Sequence, residues 1–274
     1  MSNRKHHAGL FPALLKHWRG KRGLSQLDLA VAADVSSRHI SFMETGRSAP
    51  SAEMVLRLAA TLDVPLRHAN AMLRAASHEP AFPEPGPERA LPPYVADAIE
   101  MMKAHHDPFP LIVMDRVYDL FDLNAGAIAM FSAAVPSMMA LVARGERFNL
   151  AKLTFDPNGA HPVIANFDEV GREFLWRLKR EALADPDDGE LRRVLDEILH
   201  MPTVPADWRD ADFTVPSSPA VPIEVLLGGR TLKFVTMVTA LQAPQTVVLD
   251  ELRIETWFPV DAETAHVCQE LASA

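Results

Sequence analysis

The stretch LSQLDLAVAADVSSRHISFMETGR, residues 24–47, decides the first part of the fold. Ser25 precedes a run in which Leu27, Leu29, Ala30 and Ala33 recur at helical spacing, so it predicts a capped helix. Asp34 and Val35 supply a tight turn. Ser36 caps a second helix that runs to about Thr45, and Gly46 ends it. On a wheel of about 100° per residue, Ser37, Ser41, Thr45, Arg38 and Phe42 fall within an arc of about 140°. Ile40 and Met43 lie opposite, flanked by Glu44 and His39. One face of this helix is therefore built for a core, and the other offers arginine, hydroxyls and one ring outward.

Two short capped helices joined by a turn of a few residues match the helix-turn-helix unit, whose second helix lies in the DNA major groove. The division of faces suits a reading helix, because small polar groups approach the bases and arginine pairs with guanine O6 and N7. Ser25 and Gln26 begin the preceding helix, where side chains and free backbone N–H groups hold phosphate. Working outward, Leu10–Arg22 carries Leu10, Leu14, Leu15 and Trp18 at helical spacing and stops at Gly23. A fourth helix is expected from Ser51 to Leu62, and a fifth from Pro65 to about Ala76.

Net charge divides in the same place. Residues 1–78 hold 11 basic against 5 acidic side chains, and the remainder holds 16 against 31. A basic end on an acidic chain of net charge −9 points to a nucleic-acid partner at that end. With 48% apolar and 23% charged residues the composition is that of a folded protein, and 274 residues suffice for two domains. No apolar run approaches the ~18 residues needed to cross a bilayer, and the basic N-terminus is followed by no apolar stretch of the kind a secretion signal requires. Cys268 is the only cysteine, so neither an intrachain disulfide nor a multi-cysteine metal site is possible. The expected setting is the cytoplasm, with no membrane partner.

Residues 79–93 contain Pro80, Pro83, Pro85, Pro87, Pro92 and Pro93 and read as a stiff linker with polyproline II character. The expected boundaries are a DNA-binding domain over 1–78, the linker over 79–93 and a second domain over 94–274. That second domain opens on a helix over 94–106. Strands follow at 111–115 and 117–123, then a helix from Asn124 to about Ala134 and further helix near 136–144. Amphipathic helices are expected over 167–184 and 188–200, broken by DPDDG, with a proline-bearing loop over 201–220. Three strands, 222–227, 231–241 and 247–258, close the chain. Gly228-Gly229 joins the first two as a hairpin, because both positions tolerate positive φ. The fold class expected is an all-α five-helix domain followed by an α+β domain with an antiparallel sheet of about five strands.

Residues 10–76 as a whole resemble the xenobiotic-response-element helix-turn-helix family, sharing the phage-repressor fold: LSQ, DLA, VS, IS, ETGR, PS, LRLA and LDV fall at its spacing. The resemblance implies phosphate or base contact for Gln26, base reading for Ser37, Arg38, Ser41 and Phe42, and a backbone contact for Arg47. It makes Ile40 and Glu44 structural. Phe42 departs from the polar residue common there, and an exposed ring suits a thymine methyl. DRVYDLFDLNAGA (115–127), FDPNGAHPVIANFDE (155–169) and RIETWFPVDAET (253–264) resemble segments of MmyB-like regulators, with Tyr118 where a Trp is usual. That resemblance implies a PAS-like domain for ligand binding and dimerisation. It implies a small apolar or fatty-acid-like ligand, and a homodimer on an inverted-repeat operator in double-stranded DNA.

Within the second domain Arg116, Asn124 and Asn166 are the candidate ligand-binding residues; a surface ion pair for Arg116 and plain helix capping for the two asparagines are the competing readings. Met101, Met102, Met130, Met138 and Met139 suit either an adaptable pocket or a core. His105-His106-Asp107 makes a poor metal pair, since adjacent helical residues diverge by about 100°. No H-E-x-x-H, G-x-S-x-G, phosphate-binding glycine loop or G-x-G-x-x-G occurs, so no catalytic residue, metal or cofactor is assigned. The expected function is a ligand-responsive transcription regulator. The alternative is an enzyme or carrier domain fused to an autoregulatory helix-turn-helix, and turnover by residues 94–274 would distinguish it.

Overall fold

Three serines set the register of the N-terminal helices in the computed structural model. It describes residues 10–84, 91–138, 144, 148–184, 188–209, 222–242 and 244–273. Ser25, Ser36 and Ser51 each accept a backbone N–H three residues on, which satisfies one of the free donors at a helix start. The helices are α1 (Leu10–Lys21), α2 (Gln26–Ala32), α3 (Ser37–Glu44), α4 (Ala52–Thr61) and α5 (Leu66–Ala75). Gly23, Asp34 and Gly46, with φ of 66°, 54° and 71°, make the reversals between them. The apolar stripes converge on one core that includes Leu15, Trp18, Leu29, Ile40, Met43, Leu58, Leu62 and Leu73.

The chain divides into two compact units, Met1–Ala90 with Gln242–Asp250 and Leu91–Leu241 with Glu251–Ala274. Residues 79–84 are not a free linker. The buried Asn70 side chain accepts from the Ala81 and Phe82 N–H groups, each at 3.1 Å, and donates to Phe82 O at 2.8 Å. Phe82 packs on the helical core, and Glu84 pairs with Arg74 at 2.7 Å. Proline's lost donors are no obstacle here, because the non-proline amides between them carry the bonds. Pro85 and Pro87 lie outside the described residues.

Residues 242–250 bring an element that the strand pattern misassigns. VVLDELRIETWF is not one strand: it is α11 (Val247–Glu251) followed by β5 (Arg253–Pro259). The Thr246 hydroxyl accepts from Leu249 N at 3.3 Å and starts a helix in a β-branched run. Val247 N then donates to Pro83 O at 3.1 Å, and Asp250 Oδ2 accepts from Leu66 N at 2.9 Å. Pro65, at the N-cap of α5, has no side chain to cap with, so Asp250 supplies the cap from 184 residues away. Asp250→Ala is expected to cost the helical unit about 1 kcal/mol, read as a lower urea midpoint at an unchanged m-value.

The second unit holds a five-stranded antiparallel sheet in the order β2-β1-β5-β4-β3. Its strands are β1 (Leu111–Met114), β2 (Leu120–Leu123), β3 (Ile223–Leu227), β4 (Arg230–Thr239) and β5. Gly228 and Gly229, at φ 56° and 79°, close the β3–β4 hairpin with Leu227 opposite Arg230. The strand expected over 117–123 begins only at Leu120. The Asp115 carboxylate accepts from Val117 N and Asp119 N, both at 2.9 Å, and folds the segment into a turn with Tyr118 at φ 69°. Helices α6 (Pro93–His106), α7 (Ala125–Ala134), α8 (Leu150–Phe155), α9 (Phe167–Ala184), α10 (Gly189–Leu199) and α12 (Ala262–Ala272) complete the unit. The strand pattern anticipates neither α8 nor α12, capped by Asn149 and Asp261. The loop expected over 201–220 contains a short 3₁₀ turn, Ala206–Trp208; Pro216 and Pro219 lie outside the described residues. The core runs through Phe155, Leu175, Leu178, Phe234 and Leu232.

Candidate DNA interface and ligand cavity

Ile40 and Met43 are fully buried, and Ser37, Arg38 and Arg47 are exposed, so α3 has the two faces its spacing predicts. Ser41 and Phe42 are half-buried on the outward side. Glu44 organises the base of the motif. Its carboxylate accepts from Arg19 Nε at 2.6 Å, Arg19 Nη2 at 3.0 Å and Gln26 Nε2 at 2.7 Å, and Arg19 Nη1 donates to Leu24 O at 2.8 Å. Burial by itself would push the Glu44 carboxyl up. The hydrogen bonds from Arg19 and Gln26, helped by the Arg19 charge, outweigh it and hold the group below its ordinary value. Gln26 is thereby fixed at the start of α2. Ser25 is committed to a capping box with Asp28: Asp28 N donates to Ser25 Oγ at 3.1 Å and Ser25 N donates to Asp28 Oδ2 at 2.9 Å. The Ser25 hydroxyl proton stays available to an acceptor.

Gly46 ends α3 in a defined way. Arg47 N donates to Phe42 O at 2.8 Å and Gly46 N to Met43 O at 3.2 Å, the paired bonds of a Schellman motif. The turn carries Arg47 back along the helix, and its guanidinium carbon lies 6.0 Å from the Phe42 ring centroid. Arg38, four residues before Phe42 and on the same face, lies 5.1 Å from it. The exposed part of this face thus gathers two cations around one ring.

In the second unit a cavity of about 390 Å³ opens between the sheet and its helices. Met130 and Phe131 of α7, Leu150 and Leu153 of α8, Val170 and Phe174 of α9, and Val225 and Trp257 of the sheet make most of its wall. Arg177 of α9 and Glu255 of β5 are among its polar lining residues, with Glu173, Arg180 and Thr236. Arg177 lies 4.6 Å from the Phe174 ring and 5.6 Å from the Tyr118 ring, and its buried Nε has no hydrogen-bond partner among the described residues. Glu255 Oε1 accepts from Trp257 Nε1 at 2.9 Å, and Tyr118 OH donates to Glu181 Oε2 at 2.9 Å.

Burial pushes the Glu255 and Glu181 carboxyls up, and the Tyr118 phenol with them. Burial works against the Arg177 charge, but the neighbouring Tyr118, Glu255 and Glu181 outweigh it and raise its pKa. The cavity lining therefore holds the Arg177 cation beside a Glu255 carboxyl whose ionisation burial opposes. Apolar walls with a few polar groups among them are the form of a small-molecule site.

The three residues singled out by sequence are structural in their visible contacts, and none is in the cavity lining. Arg116 contacts Glu251 at 3.0 Å, Glu190 at 2.6 Å and Asp188. Asn124 caps α7, accepting from Ala127 N at 2.9 Å and Leu111 N at 2.8 Å and donating to Asp107 Oδ1 and Phe109 O. Asn166 binds the outer edge of β3, accepting from Glu224 N at 3.0 Å and donating to Pro222 O at 2.9 Å. Of the methionines, Met130 lines the cavity, Met138 is buried, Met101 and Met102 are exposed, and Met139 lies outside the described residues. Arg177 and Glu255, which line the cavity, are not among the residues the sequence singled out. The available signal was an arginine inside the apolar stripe of α9, between the half-buried Phe174 and the buried Leu178. Among the described residues no cluster of metal-ligating side chains occurs, and no helix is long and apolar enough to cross a membrane.

Comparison with known proteins bears on both sites. No curated protein matches the sequence. A solved structure described as an RNA-binding light-oxygen-voltage receptor is similar at 12% identity and a TM-score of 0.27, over 100% of this chain; the chain spans 63% of that protein's length. A helix-turn-helix model matches residues 15–68. The model of the MmyB-like transcription regulator ligand-binding domain matches residues 95–271, well over half of the chain. The chain thus belongs to the MmyB-like transcription regulators: it is a DNA-binding transcription regulator with a ligand-binding domain.

Proposed function

We propose that the protein binds duplex DNA as a homodimer on an inverted repeat, and that a small, largely apolar molecule with a carboxylate head occupies the second unit and shifts operator affinity. The observation that carries the ligand half is the 390 Å³ cavity with apolar walls and a partnerless, buried Arg177 Nε–H. A fatty-acid-like tail suits those walls, and a carboxylate suits an arginine held in a dry site. Arg177 takes the head-group role that Arg116, Asn124 and Asn166 were expected to share.

In the DNA half, Arg38 with Ser37 and Ser41 faces the bases on the side of α3 that also carries Phe42, while Ser25, Gln26 and Arg47 position the backbone. Two reading helices related by a two-fold axis meet half-sites about 10 base pairs apart, and the work is done in the cytoplasm beside the DNA. Arg38→Ala is expected to cost about 1–3 kcal/mol on the specific site and to relax preference at one base pair. Arg47→Ala is expected to weaken specific and random DNA alike and to flatten the salt dependence by about one unit of slope. Footprinting and salt titrations on a duplex selected from a random library check both; unchanged sequence preference in Arg38→Ala would move the register.

Ligand and operator are coupled only if the ligand prefers one of two arrangements of the protein. The chain passes between the units at residues 90–91, 241–242 and 250–251. The last two crossings flank a segment whose neighbouring strands, β4 and β5, carry Val235, Thr236, Glu255 and Trp257 of the cavity wall. Native mass spectrometry of the full chain, followed by solvent extraction, tests the ligand: a carboxylic acid released from the protein is expected, and a solidly filled core with no bound molecule would leave the second unit a dimerisation module.

A further inference from the structure

Phe42 sits among the residues assigned to base reading, yet its surroundings give it a different task. The backbone places two arginines on its ring by separate mechanisms. Arg38 reaches it from one helical turn earlier, at 5.1 Å. Arg47 reaches it because the Gly46 turn closes with Arg47 N on Phe42 O, at the place where a Schellman motif ordinarily sets an apolar contact between the same two positions. Here that apolar partner is an arginine, and the contact becomes one of a cation with a ring face. The ring itself is half-buried, so the helix holds its rotamer while its outer part stays available.

We propose that Phe42 is a positioning residue: its ring holds Arg38 and Arg47 extended toward DNA before DNA arrives, instead of reading a base itself. The inference rests on the assignment of this face of α3 to DNA. An exposed arginine loses much rotamer freedom when it is immobilised on a phosphate or a guanine, and a ring that already restricts it removes part of that cost. One aromatic side chain would serve two functions at once, the base contact of Arg38 and the backbone contact of Arg47. A ring bound to a thymine methyl would serve only a single base pair.

The test is a set of full-length variants assayed on a duplex selected by the wild-type chain from a random-sequence library. Phe42→Leu keeps an apolar group that can meet a thymine methyl but has no π face. It is expected to lose about five- to thirtyfold in affinity, to relax preference at the base pair read by Arg38, and to lower the salt slope. Phe42→Tyr and Phe42→Trp retain the ring and are expected to restore all three. In an Arg38→Ala/Arg47→Ala background the further loss from Phe42→Leu should vanish. A loss that persists undiminished there would show that the ring contacts DNA directly and would overturn the proposal alone. No effect of the two arginine substitutions on binding would overturn the DNA face itself, and the proposal with it. Proton NMR of the DNA-free chain gives a second readout. The Arg38 and Arg47 δ-methylene resonances should be shifted upfield by the ring current in the wild type and relaxed in Phe42→Leu; unshifted arginines in the wild type would contradict the arrangement.

Discussion

Glu44→Ala is expected to destabilise the N-terminal unit by about 3–5 kcal/mol, the usual cost of removing one partner of a buried ion pair. The Glu44 side chain is 4% exposed and Arg19 16% exposed, so the arginine left behind regains only part of its hydration. Against a total stability of about 5–15 kcal/mol, a loss of that size brings the unit close to unfolding at room temperature. Gln26 loses its anchor in the same substitution, so DNA affinity should fall even at temperatures where the variant stays folded. The pH dependence has a definite sign. The Glu44 carboxyl is held below its ordinary value, so its contribution is present above the ordinary carboxylate range and is lost as pH falls through the depressed value. Acid should therefore destabilise the wild type more steeply than Glu44→Ala. Urea titrations at neutral and acid pH measure both effects; parallel pH profiles would mean that Glu44 does not carry this part of the stability.

Arg177→Met is expected to weaken binding of a straight-chain carboxylate about ten- to hundredfold, the loss of one charge-assisted hydrogen bond in a dry site. Binding of the matching alcohol should be nearly unchanged, since methionine keeps the apolar stem against Phe174. Equal losses for acid and alcohol would mean that Arg177 shapes the wall and does not hold the head. Glu255 lines the same cavity and acts with the opposite sign. Its pKa is raised, so its favourable state exists below the ordinary carboxylate value, and stability declines as pH rises through the shifted one. Glu255→Gln keeps an acceptor for Trp257 Nε1 and removes the ionisation. The decline in stability on the alkaline side should flatten in that variant, and carboxylate binding should lose its dependence on pH in the same range.

Local chemistry made the N-terminal unit legible. Ser25, Ser36 and Ser51 cap, Gly23 and Gly46 reverse the chain, and Ile40 and Met43 face inward at the period of a helix, so each signal agreed with the next. The sheet of the second unit was legible for a similar reason, through the Gly228-Gly229 hairpin and its alternating flanks. Elements whose cap is a single side chain in an otherwise β-prone or mixed run were not. Thr246 starts a helix on Val247 and Val248, and Asn149 and Asp261 start two more.

The polar residues of the cavity were hidden for a different reason. Asn124 and Asn166 sit at element ends, where a polar residue invites a functional reading, and their contacts there are with backbone and, for Asn124, with the Asp107 carboxylate as well. Arg177 and Glu255 sit inside regular elements, where burial is decided by which surfaces the chain packs together over long separations. Spacing within α9 marks Arg177 as part of an apolar stripe, but neither it nor the spacing of β5 reveals which surfaces meet there. The Arg19–Glu44–Gln26 network was visible only as a residue type, because its partners come from three helices.

Operator affinity measured with and without a carboxylate in the cavity separates a ligand sensor from a domain that only dimerises. Fluorescence anisotropy of the selected duplex would be recorded with the full, delipidated chain, alone and with saturating dodecanoate, and with dodecanol as the uncharged control. A change in operator Kd of about five- to 150-fold with dodecanoate, absent in Arg177→Met, is the predicted result. An operator Kd that stays the same while dodecanoate is bound, or a chain that binds no straight-chain carboxylate, would contradict it.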